Sequence, residues 1–530
     1  MKLPLASILG ALALHTRANP DETGGFRTAC TSLADSLDIA GVDVSLVQFV
    51  ANGTTISFPD SDASCGRPSQ AVTADLCRVA LHVPTSNRSG ISMEAWLPRD
   101  WSGRFLSTGN GGLGGCIQYE DMEYAASLGF AAVGTNNGHD GMSGASFLNN
   151  ADVVADFAYR ALHTGVVVGK QVSSTFYGAP HNKSYYLGCS TGGRQGFKEA
   201  QAFPGDFDGI VAGAPAFAFN NLTSWSCHFL PLTGRPNATT FVPMDMWAVI
   251  HEDILSQCDA LDGALDGIIE SPDLCDYDPS GLVCASNAAT TSSCLTDAQA
   301  RTVRAVFSPL LDPDGSLVYP AMQPGSETTG APQTYYAGEE FGAADWFRYA
   351  IFADPSWDAM GITPADYATS SRRNLFDIET WDGDLSAFRD AGGKLLHWHG
   401  LVDQTISSHN SPRYYEHVAR TMGLGPAELD DFYRFFRISG TAHCGGGPGA
   451  SFIGNGRRTT ASLEPEENVL MAMVRWVEEG VGPETVTGTA FVDGEREKGV
   501  AFKRKHCRWP LRNVYKGPGE PSDENAWECV

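Results

Sequence analysis

The segment Gly188-Cys189-Ser190-Thr191-Gly192 constrains this chain more than any other. It reads G-x-S-x-G and lies between an apolar run at 184–187 with strand character and residues 194–202 with helical character. In that setting the pattern predicts a nucleophile elbow. The turn is sharp enough that side chains at the glycine positions would clash, and the serine hydroxyl stands above the strand ends. Outside that setting the same residues would be an ordinary glycine turn. A strand ending this way needs a sheet around it. Strand-like segments at 104–107, 129–134 and 207–212 are interleaved with helical spacing at Val154, Phe157, Ala158, Ala161, Leu162 and Val166. The rhythm stops after Ala216 and returns at 393–400 and 432–438, followed by an apolar-periodic helix over 468–479. Of the 530 residues, 42 % are hydrophobic and 18 % charged, which excludes a disordered chain and is ample for a large core.

A serine hydroxyl is a weak nucleophile until a base takes its proton. In an α/β-hydrolase fold the chain order is nucleophile, acid, base. Asp403 follows the 393–400 strand in Gly400-Leu401-Val402-Asp403, and His443 follows the 432–438 strand in a glycine-rich loop. They are the expected acid and base for Ser190. His397, His399 and His409 compete as bases and are read as structural. An oxyanion hole needs backbone N–H groups aimed at the developing charge. Thr191 should give one and Gly111, or its neighbour Gly112, in the glycine-rich 109–115 loop the other, unless that loop is simply a tight turn. The expected architecture is α/β: an α/β-hydrolase fold with a large inserted lid domain. Residues 19–219 and 386–530 form the catalytic domain, and 220–385, irregular and rich in Asp, Pro, Gly and cysteine, form the lid.

Residues 1–18 read as a secretory leader. Lys2 supplies the positive end, 3–14 are apolar or small, and Thr16-Arg17-Ala18 offers a cleavage site. The apolar stretch is too short to span a bilayer, and no later run of 18 apolar residues follows, so a secreted protein without a membrane partner is expected. Sequons at Asn52, Asn87, Asn182, Asn221 and Asn237 agree with secretion. The 62 acidic against 36 basic residues, a net charge of −26, argue against nucleic acid as a partner.

Secretion permits disulfides, and there are thirteen cysteines. Cys189 directly precedes Ser190 and Cys444 directly follows His443. A working Ser–His pair sits about 3 Å apart, so these neighbours could come within the roughly 5–6 Å Cα separation a disulfide requires. A Cys189–Cys444 bridge is expected unless these cysteines pair elsewhere.

Residues 259–268 read D-x-x-D-G-x-x-D-G-I. Three clustered carboxylates repel unless solvated or bound to a cation, and hard oxygen donors favour Ca²⁺. Asp259, Asp262 and Asp266 would give side-chain oxygens, and Ala264 and Ile268 carbonyls, in a structural site. The spacing is not that of an EF-hand, and the alternative is an acidic surface loop.

With Cys189-Ser190, Asp403 and His443-Cys444, the sequence resembles the tannase/feruloyl esterase family, whose CS-D-HC pattern this is, and whose lid calcium site residues 259–268 resemble. The resemblance covers roughly residues 25–530. It implies bridges Cys30–Cys77, Cys65–Cys116, Cys258–Cys275, Cys284–Cys294 and Cys507–Cys529 besides Cys189–Cys444, with Cys227 left over. It implies a serine carboxylesterase whose substrate is an aromatic ester: hydroxycinnamoyl, such as feruloyl, on plant cell-wall sugars, or galloyl as in a tannase. The lid would hold the aromatic acid, with Phe229, Phe241, Trp247, Tyr335, Tyr336, Trp346, Phe347, Tyr349, Phe352 and Trp357 as candidates or as lid core. A reading of another class is a calcium-dependent secreted binding protein on a degenerate hydrolase core, and intact Ser190, Asp403 and His443 argue against it.

Overall fold

The computed structural model describes residues 22–285 and 293–530, so the expected leader lies outside the described residues. Nine strands form the main sheet: β1 (Asp43–Val50), β2 (Leu76–Pro84), β3 (Gly90–Pro98), β4 (Arg104–Thr108), β5 (Phe130–Thr135), β6 (Lys183–Cys189), β7 (Gly209–Gly213), β8 (Lys394–Gly400) and β9 (Tyr433–Ile438). Their spatial order is β1-β2-β3-β5-β4-β6-β7-β8-β9. The first three and β5 pair antiparallel. From β5 onward every neighbouring pair is parallel. This is an α/β-hydrolase-type fold.

Parallel strands need both faces covered, which explains their near-continuous apolar sequences. Successive residues alternate between two cores. Phe105, Tyr186, Ile210, Leu395 and Phe435 face one. Leu106, Tyr185, Val211, Leu396 and Phe436 face the other. Ala161–Tyr177, Thr191–Ala202 and Asn410–Met422 cover the first face, through Val166, Phe197 and Tyr414 among others. Tyr119–Ser127 and Val469–Glu479 cover the second, through Met122 and Met473.

The strands β1 and β2, ahead of the expected start of the alternation near residue 91, add two antiparallel strands to one edge. The helix expected over 151–172 is Ala151–Ala155 and Ala161–Tyr177, joined by a π-helical turn at Asp156–Arg160. The basic segment near residue 500 forms a hairpin, Thr485–Phe491 against Val500–Cys507.

Between β7 and β8 no described residue joins the main sheet. This stretch holds the helices Phe219–Thr233, Met246–Cys258, Asp297–Val306 and Pro364–Arg373 around an apolar core of its own. It packs onto the loop after β8: Thr329 donates to the Val402 carbonyl and Tyr335 to the Thr405 carbonyl. On another side Asp345 accepts from the Ser143 hydroxyl and the Gly144 N–H.

Candidate active site

Ser190 lies between β6 and the helix Thr191–Ala202, at φ 68° and ψ −124°. Such a backbone costs a non-glycine residue about 1–3 kcal/mol and persists only where its surroundings enforce it. Here the Ser190 N–H donates to the Gly213 carbonyl of β7 at 3.0 Å. The flanking glycines are sterically required. A Cβ on Gly188 would meet the Gly192 carbonyl oxygen at 2.7 Å, and one on Gly192 the Asn110 carbonyl oxygen at 3.1 Å.

The Ser190 hydroxyl lies 2.9 Å from His443 Nε2, and His443 Nδ1 lies 2.7 Å from Asp403 Oδ2. An ionised carboxylate only accepts, so Nδ1 carries the proton it donates to Asp403, and Nε2 is left to accept from Ser190. The His443 N–H donates to Gln404 Oε1 at 3.0 Å, fixing the loop that carries the imidazole. Asp403 is fully buried. Its Oδ1 accepts from the N–H groups of Thr405 at 2.7 Å and Ile406 at 2.9 Å. Burial alone would raise its pKa, but the imidazoles of His443 and His399 outweigh this and hold the carboxyl well below the usual range.

His399, read from the sequence as structural, touches the acid directly: its Nε2 lies 3.2 Å from Asp403 Oδ2. Behind it runs a buried chain. His399 Nδ1 is 2.6 Å from the Ser411 hydroxyl, His397 Nε2 is 2.9 Å from the same oxygen, and His397 Nδ1 is 2.9 Å from the Tyr433 hydroxyl. Because Asp403 only accepts, one assignment uses each proton once: Tyr433 to His397, His397 to Ser411, Ser411 to His399, His399 to Asp403. Burial pushes the His397 pKa well down, in keeping with a neutral ring. The signal for this chain was the i, i+2 spacing of His397 and His399, which puts both on one face of β8. His409 precedes the helix Asn410–Met422. Among the described residues, His443 is the imidazole bonded to Ser190.

Thr191 is the first residue of its helix, so its N–H has no intrahelical acceptor. Its hydroxyl donates to the Gly112 carbonyl at 2.7 Å, holding the 109–115 loop against the elbow. Asn110 anchors that loop to the same helix: its N–H donates to Gln195 Oε1 at 2.9 Å, and Gln195 Nε2 donates to Asn110 Oδ1 at 3.0 Å. Gly111, Gly112, Ser190 and His443 line one open cleft of about 1040 Å³. None of the ten aromatics named from 220–385 lines it. Phe229, Trp247, Tyr335, Tyr336, Trp346 and Phe347 are buried in the core of their own segment, and Tyr349, Phe352 and Trp357 pack against it.

Six disulfides are present: Cys30–Cys77, Cys65–Cys116, Cys189–Cys444, Cys258–Cys275, Cys284–Cys294 and Cys507–Cys529. Cys189 and Cys444 have Cα atoms 6.0 Å apart and tie the residue before Ser190 to the residue after His443. Cys227 is a buried free thiol, and burial raises its pKa.

In the 259–268 loop, Asp259 accepts from the Gly267 N–H, Asp262 from those of Ala264 and Glu270, and Asp266 from that of Ile268. Asp266 also pairs with Arg504 at 2.7 Å. Asp259 and Asp262 are buried and, among the described residues, neither is paired with a Lys or Arg; burial pushes the Asp262 carboxyl up to about 6. Elsewhere, His163, Glu199 and Asp206 lie close enough together to share one cation. The Lys170 ammonium, bonded to the Asp206 carbonyl, already brings a positive charge there.

Residues 77–530 match the family model described as "Tannase and feruloyl esterase". The chain is 54 % identical over 530 residues to a probable feruloyl esterase B-2 of Neosartorya fischeri, with 100 % of each chain covered. The crystal structure of feruloyl esterase B from Aspergillus oryzae is 54 % identical and superposes with a TM-score of 0.93, covering 95 % of this chain and 100 % of that one. A tannin acyl hydrolase from Aspergillus niger shares the fold at 22 % identity, with a TM-score of 0.74 over 96 % of this chain and 95 % of that one.

Proposed function

The chain belongs to the tannase and feruloyl esterase family, and from that premise we propose that it is a secreted serine carboxylesterase cleaving hydroxycinnamoyl esters, such as feruloyl esters, of plant cell-wall polysaccharides. The observation that carries the chemistry is the unbroken Ser190–His443–Asp403 hydrogen-bond chain on a strained elbow. The 54 % identity to feruloyl esterase B relatives supports the substrate class.

In the proposed mechanism His443 Nε2 takes the Ser190 proton as Oγ attacks the ester carbonyl. Asp403 keeps the imidazole in the required tautomer and stabilises the imidazolium. The N–H groups of Thr191 and Gly111 face the carbonyl oxygen as it gains charge. His443 then gives its proton to the leaving alcohol, and the acyl-serine remains. Water enters, His443 takes its proton, and the aromatic acid leaves.

A Ca²⁺ ion is part of this reading, held by the carboxylates of Asp259, Asp262 and Asp266 and the carbonyls of Ala264 and Ile268 within a lid at 220–385. The donor set suits a hard cation, because two of the carboxylates are buried with no Lys or Arg paired to them among the described residues. Bound there, the ion would neutralise clustered charge and take no part in the ester chemistry. Export by the 1–18 leader is supported by the six disulfides, which need an oxidising compartment. Asn52, Asn87, Asn182 and Asn237 are exposed, as glycan acceptors must be; Asn221 is half-buried and accepts from the Ser371 hydroxyl.

Methyl ferulate, caffeate, sinapate and gallate, assayed side by side, test the substrate class. Turnover of the three hydroxycinnamates is expected; turnover of gallate alone would replace this reading with a tannase. Ser190→Ala should lower kcat by about four orders of magnitude or more while the protein stays folded. Undiminished turnover would overturn the mechanism; no turnover of any of the four esters by the unmodified protein would instead favour a non-catalytic, calcium-dependent binding role.

A further inference from the structure

The cleft beside Ser190 is much larger than the reaction centre and has an unusual lining. Beyond the elbow and the glycine loop, its walls include Arg67, Asp121, Phe452, Arg458, Phe491 and Phe502. These come from four separate stretches of the chain, so no sequence motif announced them. The three phenylalanines are half-buried and offer part of their rings to the cleft. Their wall is fixed in place. Phe452 and Phe491 pack edge to face with ring centroids 4.8 Å apart. The Arg496 guanidinium lies 5.2 Å from the Phe452 centroid and 5.8 Å from that of Phe491, and donates to the Arg458 carbonyl at 3.1 Å.

The polar groups are of two kinds. Arg67 is committed to Glu120 in a two-pronged ion pair. Asp121 and Arg458, by contrast, have no side-chain hydrogen bond or ion pair among the described residues. Burial, and next the neighbouring Glu120 carboxylate, push the Asp121 carboxyl up to about 7.

The reaction sets which half of the ester faces this wall. The leaving oxygen must come within reach of His443 Nε2, since that atom protonates it. The cleft wall continues from His443 through the glycine-rich 444–449 loop towards Phe452. An aromatic acid placed here would offer the Asp121 carboxyl and the Arg458 guanidinium only its few ring hydroxyls, fewer partners than a sugar chain brings. A chain of sugar rings fits both kinds of lining. Its hydroxyls pair with carboxyl and guanidinium, and its C–H faces lie on phenyl rings.

We propose that this cleft is the binding site for the alcohol half of the substrate, a carbohydrate chain whose rings rest on Phe491 and Phe502 and whose hydroxyls bond to Asp121 and Arg458. This deepens the esterase reading above and rests on it. It places selectivity for the polysaccharide in the hairpin Thr485–Phe491/Val500–Cys507 and the residues facing it, apart from the segment at 220–385 expected to hold the aromatic acid.

The test compares two substrates of one acid, methyl ferulate and a feruloylated pentose oligosaccharide, in Arg458→Ala, Phe502→Ala and the double variant. Arg458 is exposed, so its truncation leaves packing intact. For the oligosaccharide ester, kcat/KM should fall about tenfold, through KM, with the methyl ester moving less than about twofold. An equal fall on both substrates would place the acid in this cleft; no change on either would leave the sugar in bulk solvent. Both results overturn the proposal. Calorimetric binding of the free, unesterified oligosaccharide is read without turnover and should weaken in Arg458→Ala. Absence of hydrolysis of either ester by the unmodified protein would count against the esterase reading, while the calorimetry would still judge the sugar site.

Discussion

Asp403 receives four hydrogen bonds, from two imidazoles and two backbone N–H groups, and this makes His399 a positioning residue. A hydrogen bond to a charged acceptor contributes about 1.5–3 kcal/mol, a factor of roughly 10–100 when lost. His399→Phe should therefore lower kcat by about that factor with KM little changed. His399→Gln keeps a donor near the position of Nε2 and should recover part of the loss. The pH profile separates this role from simple packing. A depressed carboxylate stays ionised until the pH falls through its lowered folded value, so in the unmodified enzyme Asp403 should not contribute to the acid limb. Removing His399 moves the Asp403 pKa upward, and the acid limb should begin at higher pH. A profile unchanged in shape, with equal loss in both variants, would reduce His399 to core filling.

At the scale of elements, the site is a meeting of strand ends. β6 delivers Ser190, the loop after β8 delivers Asp403 and the loop after β9 delivers His443. The Cys189–Cys444 bridge fastens the first to the third across a sequence separation of 255 residues. In the chain-entropy view such a loop stabilises by about 5 kcal/mol, against about 3 kcal/mol for a span as short as that of Cys507–Cys529. Replacing Cys189 and Cys444 by serine should cost activity far more than the same change at Cys507 and Cys529, because it also frees the base from the nucleophile. Equal losses of activity would refute the tether. The 259–268 loop behaves as a separate element, clamped by Cys258–Cys275 and by Arg504. Chelation should lower Tm by about 5 °C or more before it lowers the initial rate. Chelator-free protein carrying no calcium by elemental analysis would discard the ion.

Across the whole molecule, Asp273 joins three distant parts. It pairs with Arg437 of β9 and with Arg512 of the C-terminal segment, while itself following the 259–268 loop. Burial alone would raise its pKa, but Arg512 and Arg437 outweigh this and hold it below the ordinary range. A carboxylate so depressed adds stability that is fully present above its unfolded value of about 3.9 and lost as pH falls through the folded value. Asp273→Asn should cost about 2 kcal/mol near pH 6, seen as a lower Tm, and the difference from the unmodified protein should shrink below about pH 3. A deficit constant with pH would mean that the ion pairs contribute nothing.

The nucleophile elbow, the chain order Ser190–Asp403–His443 and the apolar strands were legible in the sequence because each is a local pattern. A sharp turn needs glycines at fixed offsets, and a strand covered on both faces must be apolar at every position. The neighbours Cys189 and Cys444 were legible for a related reason: adjacency to Ser190 and His443 turned a chemical distance into a pairing. The sequence could not show that His399 reaches Asp403, that Gln195 and Asn110 hold the glycine loop, or that Phe452, Arg458, Phe491 and Phe502 wall the cleft. Nor could it show that nine of the ten aromatics named from 220–385 are spent on that segment's own core, since an aromatic that lines a pocket and one that fills a core have the same composition around them. Those facts depend on which segments far apart in the chain are brought together when the sheet closes, and only the tertiary structure decides that.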